Sequence, residues 1–337
     1  MFSSARFLPM LALLAALLLG TTGHAFGQDV LSIADARSEG VGATVTVEGV
    51  VTRAFGDFVR LQDASGPTGA SALVIRQTEG AFFDDVQDGT IARGTQLRLT
   101  GTLSEFNGLL QINEGDLSDF TVQGDGAVPD PQVVTFEDLT AGGEDYESEL
   151  VSVSSVSLDA SGTFDFGTTY TATDPTGTFA FRVQQDSETD LGGEPIPGGA
   201  FSYEGVVGQF RDDYQLIPVR TTDLEESLSF RFNRTFANVE EGDEVSVQIR
   251  AFNLDGGEAS VTVEAAAQST ATNGDDVTGF SGSETFTFSA SNAAPRTLTL
   301  TTIDEGDETE GVERLELVLS STDGAVAAPS RFTLWIR

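Results

Sequence analysis

The chain has 337 residues, with 53 acidic against 17 basic side chains and a formal charge of −36, and every base is an arginine. It has no cysteine and one histidine, His24. That excludes disulfides and a cysteine-linked lipid anchor and, once His24 is removed with a leader, zinc sites of the usual kind and Ser/His or Cys/His nucleophile systems.

At the N-terminus Arg6 precedes the apolar run Leu8 to Leu19, and Gly23 and Ala25 supply small residues at the −3 and −1 positions. This reads as a secretory signal peptide over residues 1–25, cleaved after Ala25. Its apolar core is too short to span a bilayer and no other stretch approaches about 20 apolar residues, so the expectation is an exported protein, secreted, periplasmic or at the cell surface, with no membrane span. So acidic a surface repels itself unless ions screen it, with a Debye length of about 3 Å at 1 M, which is the halophilic style of composition.

From Ala43 onward short Val-, Thr-, Leu- and Phe-rich runs alternate with Gly, Asp, Asn and Ser clusters, which predicts an all-β chain. Short helices are predicted at Leu31 to Arg37 and Thr135 to Leu139. Strands are predicted at Thr44 to Ala54, Phe58 to Asp63, Ala72 to Arg76, Gln96 to Phe106 and Leu109 to Ile112, with another near Phe120. The segment Leu97 to Phe106 returns as Phe201 to Phe210 at an offset of 104, which also pairs Leu110 with Tyr214, Gln111 with Gln215 and Ile112 with Leu216. Two homologous modules follow, over residues 29–124 and 132–225, joined by a linker at Asp125 to Pro131.

Within each module a strand with a G-x-V kink (Glu48-Gly49-Val50), the run Phe58-Val59-Arg60-Leu61-Gln62-Asp63 and the later Leu97-Arg98-Leu99-Thr100-Gly101 follow one another. This pattern resembles a five-stranded oligonucleotide/oligosaccharide-binding (OB) barrel, closest to the tandem OB modules of secreted bacterial nucleases. The resemblance implies a ligand face on the second and third strands and nearby loops, where aromatics stack on bases or sugars. The candidates are Phe55, Phe58, Arg60 and Arg76 in the first copy and Tyr170, Phe179, Phe181 and Arg182 in the second. Phe106 and Phe210 recur at equivalent positions, and such recurrence reads first as a shared core contact.

Residues 228–337 carry about seven short strands at sandwich spacing. Their order, with Phe236-Ala237-Asn238-Val239-Glu240-Glu241-Gly242, Asn273-Gly274-Asp275-Asp276, Ile303-Asp304-Glu305 and Glu310-Gly311-Val312-Glu313, resembles the Calx-beta domain, an immunoglobulin-like sandwich. The resemblance implies structural Ca2+ held by Glu241, Asp276, Asp304, Glu305, Glu310 and Glu313. Calcium takes six to eight oxygen ligands, and like charges gathered at one end of a sandwich need a cation or salt. Asp307, Glu308 and Glu316 read as surface charge.

No catalytic constellation is visible. Asp84 with Asp85, and Asp212 with Asp213, are adjacent in sequence and so unsuited to act as a dyad on a strand. There is neither Lys nor a Gly-rich phosphate loop. The expectation is a noncatalytic binding or adhesion protein whose partner is an extracellular ligand or surface protein. The alternative is an accessory nucleic-acid-binding protein working with a secreted nuclease. Charge disfavours it, since residues 29–121 hold 14 acids against 6 Arg, and residues 132–225 hold 18 against 3.

Overall fold

The computed structural model describes residues 29–64, 70–254, 257–304, 306 and 311–337. The signal-peptide segment with His24, and the metal candidates Glu305 and Glu310, lie outside the described residues, as do Asp307 and Glu308. The chain is all-β, with alternating burial along its strands around three separate hydrophobic cores.

The first segment comprises β1 (Val30–Leu31), α1 (Ile33–Glu39), β2 (Thr44–Phe55), β3 (Phe58–Gln62), β4 (Ala72–Arg76), α2 (Gly80–Gln87), β5 (Thr95–Thr102), β6 (Ser104–Phe106), β7 (Leu109–Ile112) and β8 (Leu117–Asp125). The sheet order is β6-β7-β4-β3-β2-β5-β8. Because only Leu103 separates β5, paired with β2, from β6, paired with β7, one interrupted strand joins the two sides of the set β7-β4-β3-β2 and the sheet curls on itself, with β8 added along β5. Val47, Val59, Leu61, Leu73, Ile75, Leu97 and Leu99 point inward, as the period-2 alternation requires. The expected strand Gln96 to Phe106 is thus divided at Leu103. The helix α2 was not foreseen; it carries Asp84 and Asp85 and packs Phe82 edge-on against Phe120, 5.1 Å between ring centres.

The second segment repeats the plan with β9 (Gln132–Val133), α3 (Phe136–Ala141), α4 (Gly143–Tyr146), β10 (Leu150–Leu158), β11 (Thr169–Thr173), β12 (Thr178–Arg182), β13 (Phe201–Phe210), β14 (Asp213–Ile217) and β15 (Leu224–Glu226). Here the pairings form a complete ring, β10-β11-β12-β14-β13 and back to β10. The contact of β12 with β14 is parallel, as is that of β4 with β7. Thr135 caps α3 in a reciprocal capping box with Asp138, which explains why the helix begins there.

The third segment comprises β16 (Ser229–Phe232), β17 (Phe236–Val239), β18 (Glu244–Phe252), β19 (Glu258–Ala265), β20 (Val277–Thr278), β21 (Ser283–Ser289), β22 (Arg296–Thr302), β23 (Glu313–Ser320), β24 (Ala325–Val326) and β25 (Arg331–Ile336). They form two five-stranded sheets, β20-β22-β18-β16-β24 and β17-β25-β23-β19-β21, which enclose one core containing Phe230, Phe232, Phe288 and Phe332.

A buried polar interface locks the first two segments together. Arg37 of α1 sits in it, its Nη1 donating to the Ala72 carbonyl (3.0 Å) and to Glu147 Oε1 (2.9 Å) while Nη2 reaches Glu144 (2.8 Å). The Ser71 amide and hydroxyl donate to Glu149 Oε1 at 2.6 and 2.7 Å, and the Leu150 amide donates to Gln62 Oε1 at 3.0 Å. Arg53 pairs with Asp223 at 3.0 Å and donates to the Glu204 carbonyl. These bonds fix the orientation of one barrel on the other, and so the shape of the cleft between them.

Candidate functional site: a cleft between the barrels

The cleft has a volume of about 490 Å3, inside the range of about 300–1,000 Å3 usual for small-molecule sites. Its walls come from both barrels. Phe58 and Arg60 of β3, Arg76 of β4, Phe106 of β6 and Gln111 of β7 form one side; Arg182 of β12, Phe210 of β13 and Gln215 of β14 face them. Thr169, Gln184, Gln209, Asn113 and Glu188 complete a lining rich in amides.

Strand register explains which residues arrive there. On β3 the core takes Val59 and Leu61, so Phe58, Arg60 and Gln62 point the other way. Arg76 pairs with Phe58 across β3 and β4, and Arg182 pairs with Thr169 across β11 and β12. Gln111 and Gln215 occupy the same register against β4 and β12, opposite Val74 and Ala180. Arg76 and Arg182, Phe106 and Phe210, and Gln111 and Gln215 are therefore equivalent positions of the two copies, brought to face one another across a single cleft. The contact on the local dyad is between equivalent turns: Arg211 N donates to the Asn107 carbonyl, and both residues have left-handed backbone, with φ 61° and 51°.

Four of the eight sequence candidates, Phe58, Arg60, Arg76 and Arg182, line the cleft. Phe179 and Phe181 do not. They share the inward face of β12, where Phe181 is fully buried among Phe164, Phe201 and Tyr203 and Phe179 stacks on Phe136 at 5.5 Å. Their alternation with Arg182 already distinguishes the two faces. Tyr170 packs edge-on against Phe164, and Phe55 lies under the Arg220 guanidinium. Phe106 and Phe210, expected as core contacts, are 61% and 45% exposed and stand at the cleft walls. The signal that could have found them was the repeat itself: each immediately precedes a polar hairpin turn, where an aromatic has no barrel interior to enter.

The electrostatics of the cleft run against those of the chain. Arg76 is paired with Asp57 at 2.9 Å, and both Arg76 and Arg60 lie 5.5 Å from the centre of the Phe58 ring. Arg182 donates to the carbonyl of Gly167 and to Thr169 Oγ1 (3.3 Å). Arg60 is 5% exposed, and its Nε and Nη1 meet no acceptor. Burial pulls its pKa down to about 10, against the pull of Glu147 and Glu188, so it remains charged at neutral pH. Burial also raises the Glu188 carboxyl above its usual range. On the acceptor side, Asn113 Oδ1 and Gln209 Oε1 are buried without a donor. Unpaired buried polar atoms are costly, and a site that retains donors and acceptors of this kind is suited to receive a ligand supplying both.

The metal candidates lie in the third segment. The Ile303 amide donates to the Asp276 carbonyl, the Thr302 amide to the Asp243 carbonyl, and the Glu241 amide to the Arg337 carbonyl. Glu313 opens β23 opposite Ile336. Glu241, Asp276, Asp304 and Glu313 thus share one end of the sandwich. Their described side chains have local duties: Asp276 Oδ2 accepts from the Thr272 amide and hydroxyl, and Asp304 Oδ1 accepts from the Gly306 amide at 2.9 Å. Among the described residues no three carboxylates converge as a metal-binding group. No helix among them is long and apolar enough to cross a membrane.

No protein-family model matches the chain, and no curated protein matches it. Among solved structures it is similar to the N-terminal four Ig domains of Dscam1 isoform 8.4, at 10% identity, covering 92% of this chain and 71% of that one with a TM-score of 0.18. It is similar also to the same domains of Dscam1 isoform 6.9, at 10% identity, covering 84% of this chain and 65% of that one with a TM-score of 0.17.

Proposed function

We propose that this chain is an exported, noncatalytic binding protein whose ligand site is the cleft between two OB-like barrels. The observation that carries the reading is the convergence of three arginines and three phenylalanines from both barrels on one cleft, within a chain of net charge −36. Counting β2, β3, β4, β5 and β7 as strands one to five, the pairing order is 5-3-2-1-4 with strands three and five parallel, which supports the OB reading. The side of strands two and three that faces away from the core is then the side that looks into the cleft.

The test is a thermal-shift panel of defined probes: neutral and acidic mono- and disaccharides, small hydroxy acids and single-stranded oligothymidylate. At least one class should raise the melting temperature of the protein, and the double variant Phe106→Ala/Phe210→Ala should lose that shift. Loss of one stacked ring corresponds to about 1–3 kcal/mol, so binding should weaken by roughly tenfold or more. A shift unchanged in the double variant, or no shift with any probe, contradicts the reading. Nucleic acid ranks second: the arginines and rings suit single strands, but a polyanion leaving the cleft would meet the acidic coat.

The third segment we read as a Calx-beta-like sandwich that takes structural calcium at the end carrying Glu241, Asp276, Asp304 and Glu313, whose side chains would have to turn toward the ion. Millimolar calcium at constant ionic strength should raise the melting temperature of the protein, and Asp304→Ala/Glu313→Ala should remove the increment. An unchanged melting temperature would exclude the site.

A further inference from the structure

Resting on the reading of the cleft as the ligand site, we propose that its ligand is a small polyhydroxylated monocarboxylate of the sugar-acid class, with the carboxylate held by the buried Arg60 guanidinium.

The anion follows from Arg60. Its Nε and Nη1 donors are buried with no acceptor, and the residue lines both the cleft, beside Glu188 and Ile217, and a small adjoining pocket that also meets Val206 and Val219. A guanidinium kept from water and left unbonded is costly to the free protein, and a carboxylate supplies the charge-assisted acceptors it lacks. The single charge follows from the lining. Arg76 is neutralised by Asp57, Glu147 is matched by its own partner Arg37, and Glu188 offsets one of the remaining two arginines, which leaves one positive charge for the ligand to meet. A phosphate dianion or a polyanion would overcompensate it, within a protein whose surface already repels anions.

The hydroxyls follow from the acceptors. Asn113 Oδ1 and Gln209 Oε1 await donors, and Gln111, Gln184 and Gln215 add amide groups around the same space. The exposed rings of Phe106 and Phe210 provide apolar faces for the C–H faces of a sugar ring. The direction of binding follows from broken symmetry. The pairs Arg76/Arg182, Phe106/Phe210 and Gln111/Gln215 are duplicated, whereas the counterpart of Arg60 by register is Thr171, which is exposed and not part of the lining. The ligand therefore has one acidic end, seated against the first barrel, and a hydroxylated body between the duplicated walls.

The test is calorimetric and NMR titration of the intact protein with glucuronate, glucose and single-stranded oligothymidylate, using Arg60→Met, Arg60→Gln and Phe106→Ala/Phe210→Ala. Glucuronate should bind, glucose at least tenfold more weakly, and both Arg60 variants should lose at least tenfold in glucuronate affinity. Because the Arg60 side chain leaves Nε and Nη1 without an acceptor in the protein, Arg60→Met should keep the cooperative thermal transition and amide spectrum of a folded protein, which separates lost binding from lost structure. Glucuronate binding unchanged in Arg60→Met, or no glucuronate binding, overturns the proposal. If glucose or oligothymidylate binds instead and depends on Phe106 and Phe210, the cleft remains the ligand site and only the sugar-acid assignment falls. If none of the three probes binds, the assignment falls and the cleft reading loses its support.

Discussion

Arg37→Met is expected to destabilise the protein by about 3–5 kcal/mol at pH 8, the usual cost of removing one partner of a buried ion pair. Arg37 and Glu147 are both shielded from solvent, and Glu147 Oε2 already lacks a partner, so loss of the guanidinium strands a carboxylate that has no second cation in contact. The Ala72 carbonyl loses its Arg37 donor as well. The exposed pair Arg98–Glu48, 3.5 Å apart in the first barrel, provides the control: Arg98→Met should cost under about 1 kcal/mol. Urea denaturation of the two variants side by side measures the difference. Equal effects would mean that the interface between the barrels does not depend on its buried charges. Since the interface sets the width of the cleft, Arg37→Met should also weaken any ligand that bridges Phe106 and Phe210.

The protein should be most stable near pH 5 and lose stability as the pH rises to about 8. Burial raises the Glu147 and Glu149 carboxyls to about 7 from an ordinary value of 4.5, against the opposing pull of Arg37 on both and of the Ser71 donors on Glu149. For a carboxyl whose folded pKa is raised, the native state holds the extra proton between the two values. The stabilisation is complete below about 4.5 and disappears as the pH passes through 7. The full separation corresponds to about 3 kcal/mol per carboxyl. Below pH 4.5 the trend reverses, because Glu316, held down by its bond to Arg331, and Asp138, held down by Thr135, must then be protonated. Glu147→Gln should flatten the slope between pH 5 and 8, and the Arg37→Met penalty should shrink at pH 5.5, where the stranded carboxyl can take up a proton. A melting temperature that rises from pH 5 to 8 would contradict the assignment of these two acids as groups whose burial outweighs their partners.

The strands of the barrels were legible because alternation is a local property: Ala72 to Arg76 and Leu109 to Ile112 run as expected, and the capping Thr135 marked its helix within one residue. The helix α2 was hidden because Gly80 opens it with a φ of +85° and only Phe82 is buried, too little apolar periodicity to register. The cleft was half legible. Arg60, Arg76 and Arg182 stood out as bases in an acidic chain, whereas Phe106 and Phe210 belong to it only because the two copies face each other across a dyad, a relation between barrels that no window of sequence contains. For Phe181 the alternation with Arg182 separates the two faces of β12, but which of them is the core face is fixed only when the ring of strands closes. Glu147 and Glu149 were indistinguishable from the 16 other acids of their segment, since what sets them apart is burial against Arg37 and Ser71, more than 70 residues away.

Whether ligand sits between the barrels can be read from amide chemical-shift mapping during a glucuronate titration. Shifts should concentrate in residues 58–60, 74–76, 106–113, 182–184 and 209–215, from both barrels at once and with a common dissociation constant. Shifts confined to one barrel, or located on the third segment, would contradict a site between the barrels.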